Sequence, residues 1–198
     1  MSEERSPNTR VQRTRSSPSA PHSPLTRRPL GRLILLAAAI TSGTVGAASS
    51  DSVPTAAAVL DEIKAIGPER TLQREWATEQ HSDAICQGIS TGAPDWLKVA
   101  VLLRPVSDGG ASEAIDEAVA RALPKAPADV LAVVGHGFLL PTVCVAKLIE
   151  PPPGAEQQLL EAAERALQSP LGAELESRRM ECLALVRGEL RKLNARAR

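Results

Sequence analysis

The sequence predicts an all-α protein, a compact orthogonal bundle of about seven or eight short helices. Three observations carry this. Apolar residues recur at three- and four-residue spacing in one segment after another, which is the period of a helix face. Proline and glycine punctuate the chain between segments of helical length. No window shows the period-two alternation of a half-buried strand. The one strand-like run, Val130 to Val134, follows Pro127 and Asp129, which read as a helix start. A short helical-repeat array is the alternative, but no fixed repeat period is visible.

The elements follow in order. Ser52 is expected to cap a helix from Val53 to Ile66, with Pro54 in its first turn, Leu60 and Ile63 inward and Gly67 as its stop. Glu69 to Gln87 forms a second helix carrying Leu72, Trp76 and Ile85, with His81-Ser82-Asp83 as a point of kinking or division. Asp95 to Leu103 is a third, opened by Pro94 and stopped by Pro105; its wide apolar face makes it central to the core. Ser112 starts a fourth, to about Leu123, with Ile115, Ala118, Val119 and Ala122 on one side. Short helices are expected at Ala128 to Val134 and at Pro141 to Ile149. After the stiff break Pro151-Pro152-Pro153-Gly154 come Ala155 to Gln168 and a last helix from about Leu171 to Asn194. The stripe of that last helix is Leu175, Cys182, Val186 and Leu193, helped by Leu183 and Leu190.

Ahead of the bundle the chain has the order of a secretory signal peptide. Arg27-Arg28-Pro29-Leu30-Gly31-Arg32 leads into the apolar run Leu33 to Ile40, followed by small residues and a small-x-small cleavage site at Ala47 and Ala48. The apolar run is shorter than the roughly 20 residues needed to cross a bilayer. No stable membrane span is therefore expected after cleavage. The expected organisation is a basic Ser/Pro/Arg-rich extension or mis-assigned start over 1–24, a signal peptide over 25–48 and a single helical domain over 51–198. The Thr26 to Gly31 segment also resembles a twin-arginine export motif, with general export as the simpler reading. The expected destination is the bacterial periplasm or the exterior.

The leader conceals a charge asymmetry. The chain has 23 basic and 23 acidic residues. Residues 1–47 hold seven arginines against two glutamates, so the remainder carries about −5. Phosphate backbones require a basic surface, so no nucleic-acid partner is expected. The only aromatics are Trp76, Trp96 and Phe138, with no Tyr. That leaves few platforms for stacking on sugars or bases and requires an aliphatic core.

There are three cysteines, Cys86, Cys144 and Cys182, none in a CxxC pair. Three reduced core cysteines are one reading. An oxidising compartment favours a Cys144–Cys182 disulfide, with Cys86 the odd thiol beside Ile85 and Ile89. A Cys86–His81 dyad is disfavoured, because a separation of five turns the two side chains about 140° apart on one helix. His22, His81 and His136 are too scattered for a metal signature. Asp108-Gly109-Gly110 lacks the spacing and lysine of a phosphate loop. Asp116 and Glu117, and likewise Glu161 and Glu164, read as solvated charge, as does the basic and acidic face of the last helix around Arg178, Arg179 and Glu181. No catalytic residue, metal or cofactor is expected.

Asp95-Trp96-Leu97, Leu103-Arg104-Pro105-Val106-Ser107-Asp108, Ala122-Leu123-Pro124, Val130-Leu131, Val143-Cys144 and Arg178-Arg179-Met180-Glu181-Cys182-Leu183 together resemble small exported proteobacterial helical proteins with no assigned function. The resemblance covers about 100 residues and implies no catalytic residues. The expected function is a non-enzymatic, protein-binding or structural role outside the cytoplasm, with another periplasmic protein as partner. One alternative is an immunity protein against a delivered toxin, by analogy of architecture and compartment. The other is a small hydrolase using Asp108 and His136.

Overall fold

The computed structural model describes residues 53–145 and 147–196. The expected leader, the expected cleavage site at Ala47 and Ala48 and the expected Ser52 cap lie outside the described residues. Within them the chain forms nine α-helices and no strand, so the all-α class holds. The helices are α1 (Ala56–Ile66), α2 (Pro68–Glu75), α3 (Glu79–Ile89), α4 (Pro94–Leu103), α5 (Gly109–Ala122), α6 (Pro127–Ala132), α7 (Leu140–Cys144), α8 (Ala155–Leu167) and α9 (Glu176–Arg196). A 3-10 turn, Arg104–Val106, links α4 to α5.

Local chemistry places most of the ends. Thr55 caps α1 by accepting from the Ala58 amide at 3.3 Å, so Pro54 precedes the cap instead of lying in the first turn. Gly67, at φ 88°, ends α1, and its amide donates to the Ile63 carbonyl. Prolines open α2, α4 and α6, where the missing amide proton costs nothing.

Packing then sorts the helices. α4 buries Leu97, Val99, Ala100 and Leu103 and is packed by α1, α2, α3, α5 and α6. α5 rests on α3 and α7, and α7 on α9. α8 and α9 pack on one another more extensively than any other pair. The core is aliphatic, as composition requires: Ile85, Ile89, Leu103, Ile115, Leu123, Leu131 and Leu167 are fully buried, and Phe138 is its one aromatic among the described residues. Burying each such aliphatic side chain contributes about 1.5–3 kcal/mol.

Several boundaries differ from the sequence expectation. The expected 69–87 helix is two helices. The break falls at Trp76 to Thr78, not at His81 to Asp83, because the Thr78 hydroxyl accepts from the His81 amide and starts α3 there. The fourth helix begins three residues early, at Gly109. The sixth stops at Cys144, and Leu148 and Ile149 belong to the following loop. The strand-like run is helical through Ala132, with a single bridge between Val134 and Phe138 closing the Gly135–Gly137 turn.

Candidate functional site

Two adjoining depressions line the outer side of α5. The larger, about 600 Å³, lies between α5, α7 and the 147–150 loop. Its apolar part is Pro141, Val145, Leu148 and Ile149; Glu113, Asp116, Glu117 and Glu150 supply carboxylates and Lys147 a cation. The smaller, about 390 Å³, runs on between α3 and α5 past Asp83, Cys86 and Arg121. Glu117 and Ile149 belong to both, so the two form one groove.

Two of the groove carboxylates, Asp116 and Glu117, are engaged internally. Arg104 donates to Asp116 twice, Nε to Oδ1 at 2.6 Å and Nη2 to Oδ2 at 2.9 Å. That hydrogen bonding holds the guanidinium pKa above its ordinary value. Arg121 Nε donates to Glu117 Oε1 at 2.7 Å, while the Ile149 amide donates to Glu117 Oε2 at 2.7 Å. Glu117 thereby ties the 147–150 loop to α5. The expectation that Asp116 and Glu117 are solvated charges is corrected: only 17% and 13% of their side chains is exposed. Arg104 is twelve residues from Asp116, and no local spacing signals the pair.

Cys144 and Cys182 meet across the α7–α9 contact, both buried, with sulfurs at disulfide distance and Cα atoms 5.5 Å apart. Cys86 is half-buried on the groove wall. Burial, aided by Asp83 and Glu117, pushes its thiol up to about 11, so it is a poor nucleophile. His81 faces Glu75, its Nδ1 3.1 Å from Oε2.

His136 and Asp108 are not brought into one site. His136 lies on the exposed Gly135–Gly137 turn and lines a shallow depression with Pro94, Leu97, Lys98, Val101 and Asp129, which Asp108 does not join. Asp108 is the exposed residue before α5, and its side chain caps nothing.

The last helix holds one further correction. Arg179 is 8% exposed, not part of a solvated face. Its Nη1 donates to the Leu167 carbonyl at the end of α8, while Nε and Nη2 hold Glu176 at 2.8 and 2.6 Å. Its spacing from Leu175 and Cys182, four and three residues, placed it on the apolar stripe. Neighbouring Arg178 reaches the Leu131 carbonyl at 3.1 Å, joining α9 to α6.

No protein-family model, curated protein or solved structure matches this chain. Among the described residues, no group of His, Cys, Asp and Glu is placed to hold a metal ion, and no helix is long and apolar enough to cross a membrane.

Proposed function

We propose that this chain is an exported protein of the bacterial envelope or exterior whose helical domain binds another protein and carries out no chemistry of its own. The observation that carries this reading is the buried Cys144 and Cys182 at disulfide distance, in a chain whose sequence opens with the residue order of a signal peptide. The two features are independent, and both fit an oxidising compartment. The groove along α5 supports the binding role. It is open and part apolar, and its inner carboxylates are committed to Arg104, Arg121 and the Ile149 amide instead of converging on a common point. That arrangement suits a contact surface better than an acid–base pair, which needs groups aimed at one reacting atom.

The experiment expresses the full chain with its leader, fractionates the cells and maps thiols on the exported product. The reading expects a product cleaved near Ala47–Ala48 in which two thiols become alkylatable only after reduction. A photo-crosslinking residue is then placed at Thr142 in the groove and, separately, at exposed Gln73 on α2. One adduct of defined size from Thr142 alone supports the binding role. Retention in the cytoplasm with all three thiols free removes the reading, and equal cross-linking from both positions removes the groove.

A further inference from the structure

We propose that Glu62, Glu75 and His81 form a proton-dependent latch that holds α1 to the corner between α2 and α3 in acid and loosens it as pH rises. The three residues come from three helices. Glu75, the last residue of α2, is 5% exposed and accepts from His81 Nδ1 of α3. Glu62 of α1 has a side chain only 17% exposed, and its Oε1 is buried with no hydrogen-bond donor. Arg74 Nη1 stands 3.5 Å from that oxygen, but its own side chain is 65% exposed, so solvent screens the attraction.

A carboxyl oxygen buried without a donor is costly to ionise, and the more so on a helix packed against one that buries a second carboxyl, Glu75. Protonated, Glu62 has an O–H to donate to Glu75; ionised, it faces Glu75 as a second negative charge. Burial first, then the charge of Glu75 and the hydrogen bond to it, raise the Glu62 pKa above its ordinary 4.5; Arg74 and His81 act in the opposite direction. These are the charged groups that bear on Glu62. Of α4, which packs on both α1 and α2, the buried residues Leu97, Val99, Ala100 and Leu103 do not titrate, and its charged residues Asp95 and Lys98 are exposed.

The sign follows from linkage. The folded chain holds the Glu62 proton more tightly than the unfolded chain does. The stabilisation is therefore complete below the ordinary carboxyl pKa and is lost as pH rises through the raised value. Aspartates and glutamates held by cations have the opposite slope, so this corner runs against the usual acid lability of a fold.

The test compares backbone amide exchange in α1 between the full chain and its Glu62→Gln variant at matched pH. The side-chain amide of Gln imitates the protonated glutamate. At neutral pH α1 is expected to exchange more slowly in E62Q than in the unmodified chain; in acid the two are expected to coincide. Asp61→Asn, on the exposed side of α1, is expected to change neither. If E62Q exchanges as fast as the unmodified chain at neutral pH, the latch is overturned. Should E62Q fail to fold, a carbon-13 titration of the Glu62 carboxyl in the unmodified chain decides: a midpoint above the ordinary glutamate value supports the latch, and one at or below it overturns it.

Discussion

Gly88 of α3 lies against the indole of Trp96 of α4, so closely that a Cβ at residue 88 would stand 2.7 Å from Cζ2 and nearer still to two other ring atoms. Real Cβ atoms do not approach a ring this way. Glycine is present here because the two helices meet backbone to ring. In an open helix Gly→Ala stabilises by roughly 0.5–1 kcal/mol. Gly88→Ala is expected instead to destabilise by about 1–3 kcal/mol, the cost of overpacking. Urea unfolding followed by tryptophan fluorescence measures this, and the emission of Trp96 should shift in the folded variant.

Asp116→Asn keeps the shape of the Arg104 contact but removes its charge. Both side chains are largely buried, 26% exposed for Arg104 and 17% for Asp116. A charged hydrogen-bonded pair of this kind is worth about 1.5–3 kcal/mol, so D116N should lose stability on that scale. Glu113→Gln, on the exposed rim of the same helix, should be close to neutral. Denaturant midpoints of the two variants give the comparison.

Joining Cys144 to Cys182 closes a loop of sequence separation 38. In the chain-entropy account such a loop restricts the unfolded state by about 4 kcal/mol. The double variant C144A/C182A should lose most of that, and dithiothreitol should lower the thermal midpoint of the unmodified protein but not of the variant. Differential scanning calorimetry with and without reductant checks both.

Cys86 should be slow to alkylate in the folded protein. Raising its pKa from 9.0 to about 11 leaves roughly 100-fold less thiolate near neutral pH, before any steric shielding. Iodoacetamide labelling is expected to accelerate sharply in denaturant. The native rate should rise with pH well past the point where an ordinary thiol levels off.

The elements legible in the sequence were those whose signals are local. Gly67, Pro94, Pro127 and the 151–154 run mark boundaries through backbone geometry alone, and the apolar stripe of α5 reads directly as Ile115, Ala118, Val119 and Ala122. Propensity points the α2–α3 break to the wrong place, because His81-Ser82-Asp83 are weaker helix formers than Trp76-Ala77-Thr78, which includes alanine, the best of all. The choice was made by the Thr78 cap and by the tertiary contact that draws His81 onto Glu75. The Cys144–Cys182 proximity is one of two readings the sequence offers, favoured by the expected compartment and by Cys182 lying on the apolar stripe of the last helix. Arg104–Asp116 and Glu62–Glu75–His81 were not, since each joins separate helices. Arg179 shows a third case: its spacing was apolar, but its charge argued for solvent, and the unsatisfied Leu167 carbonyl at the end of α8 decided the matter.

The tie between α7 and α9 also bears on proteolysis. Residues 145–181 contain the proline run, all of α8 and the start of α9, and both ends of this stretch are anchored at the cysteine pair. With the bridge formed, a single cut in the exposed Pro152–Gly154 segment leaves both fragments covalently attached. The nicked protein would migrate as one species on a non-reducing gel and as two pieces after reduction, so a clip at that loop would change the chain's continuity without releasing its last helix.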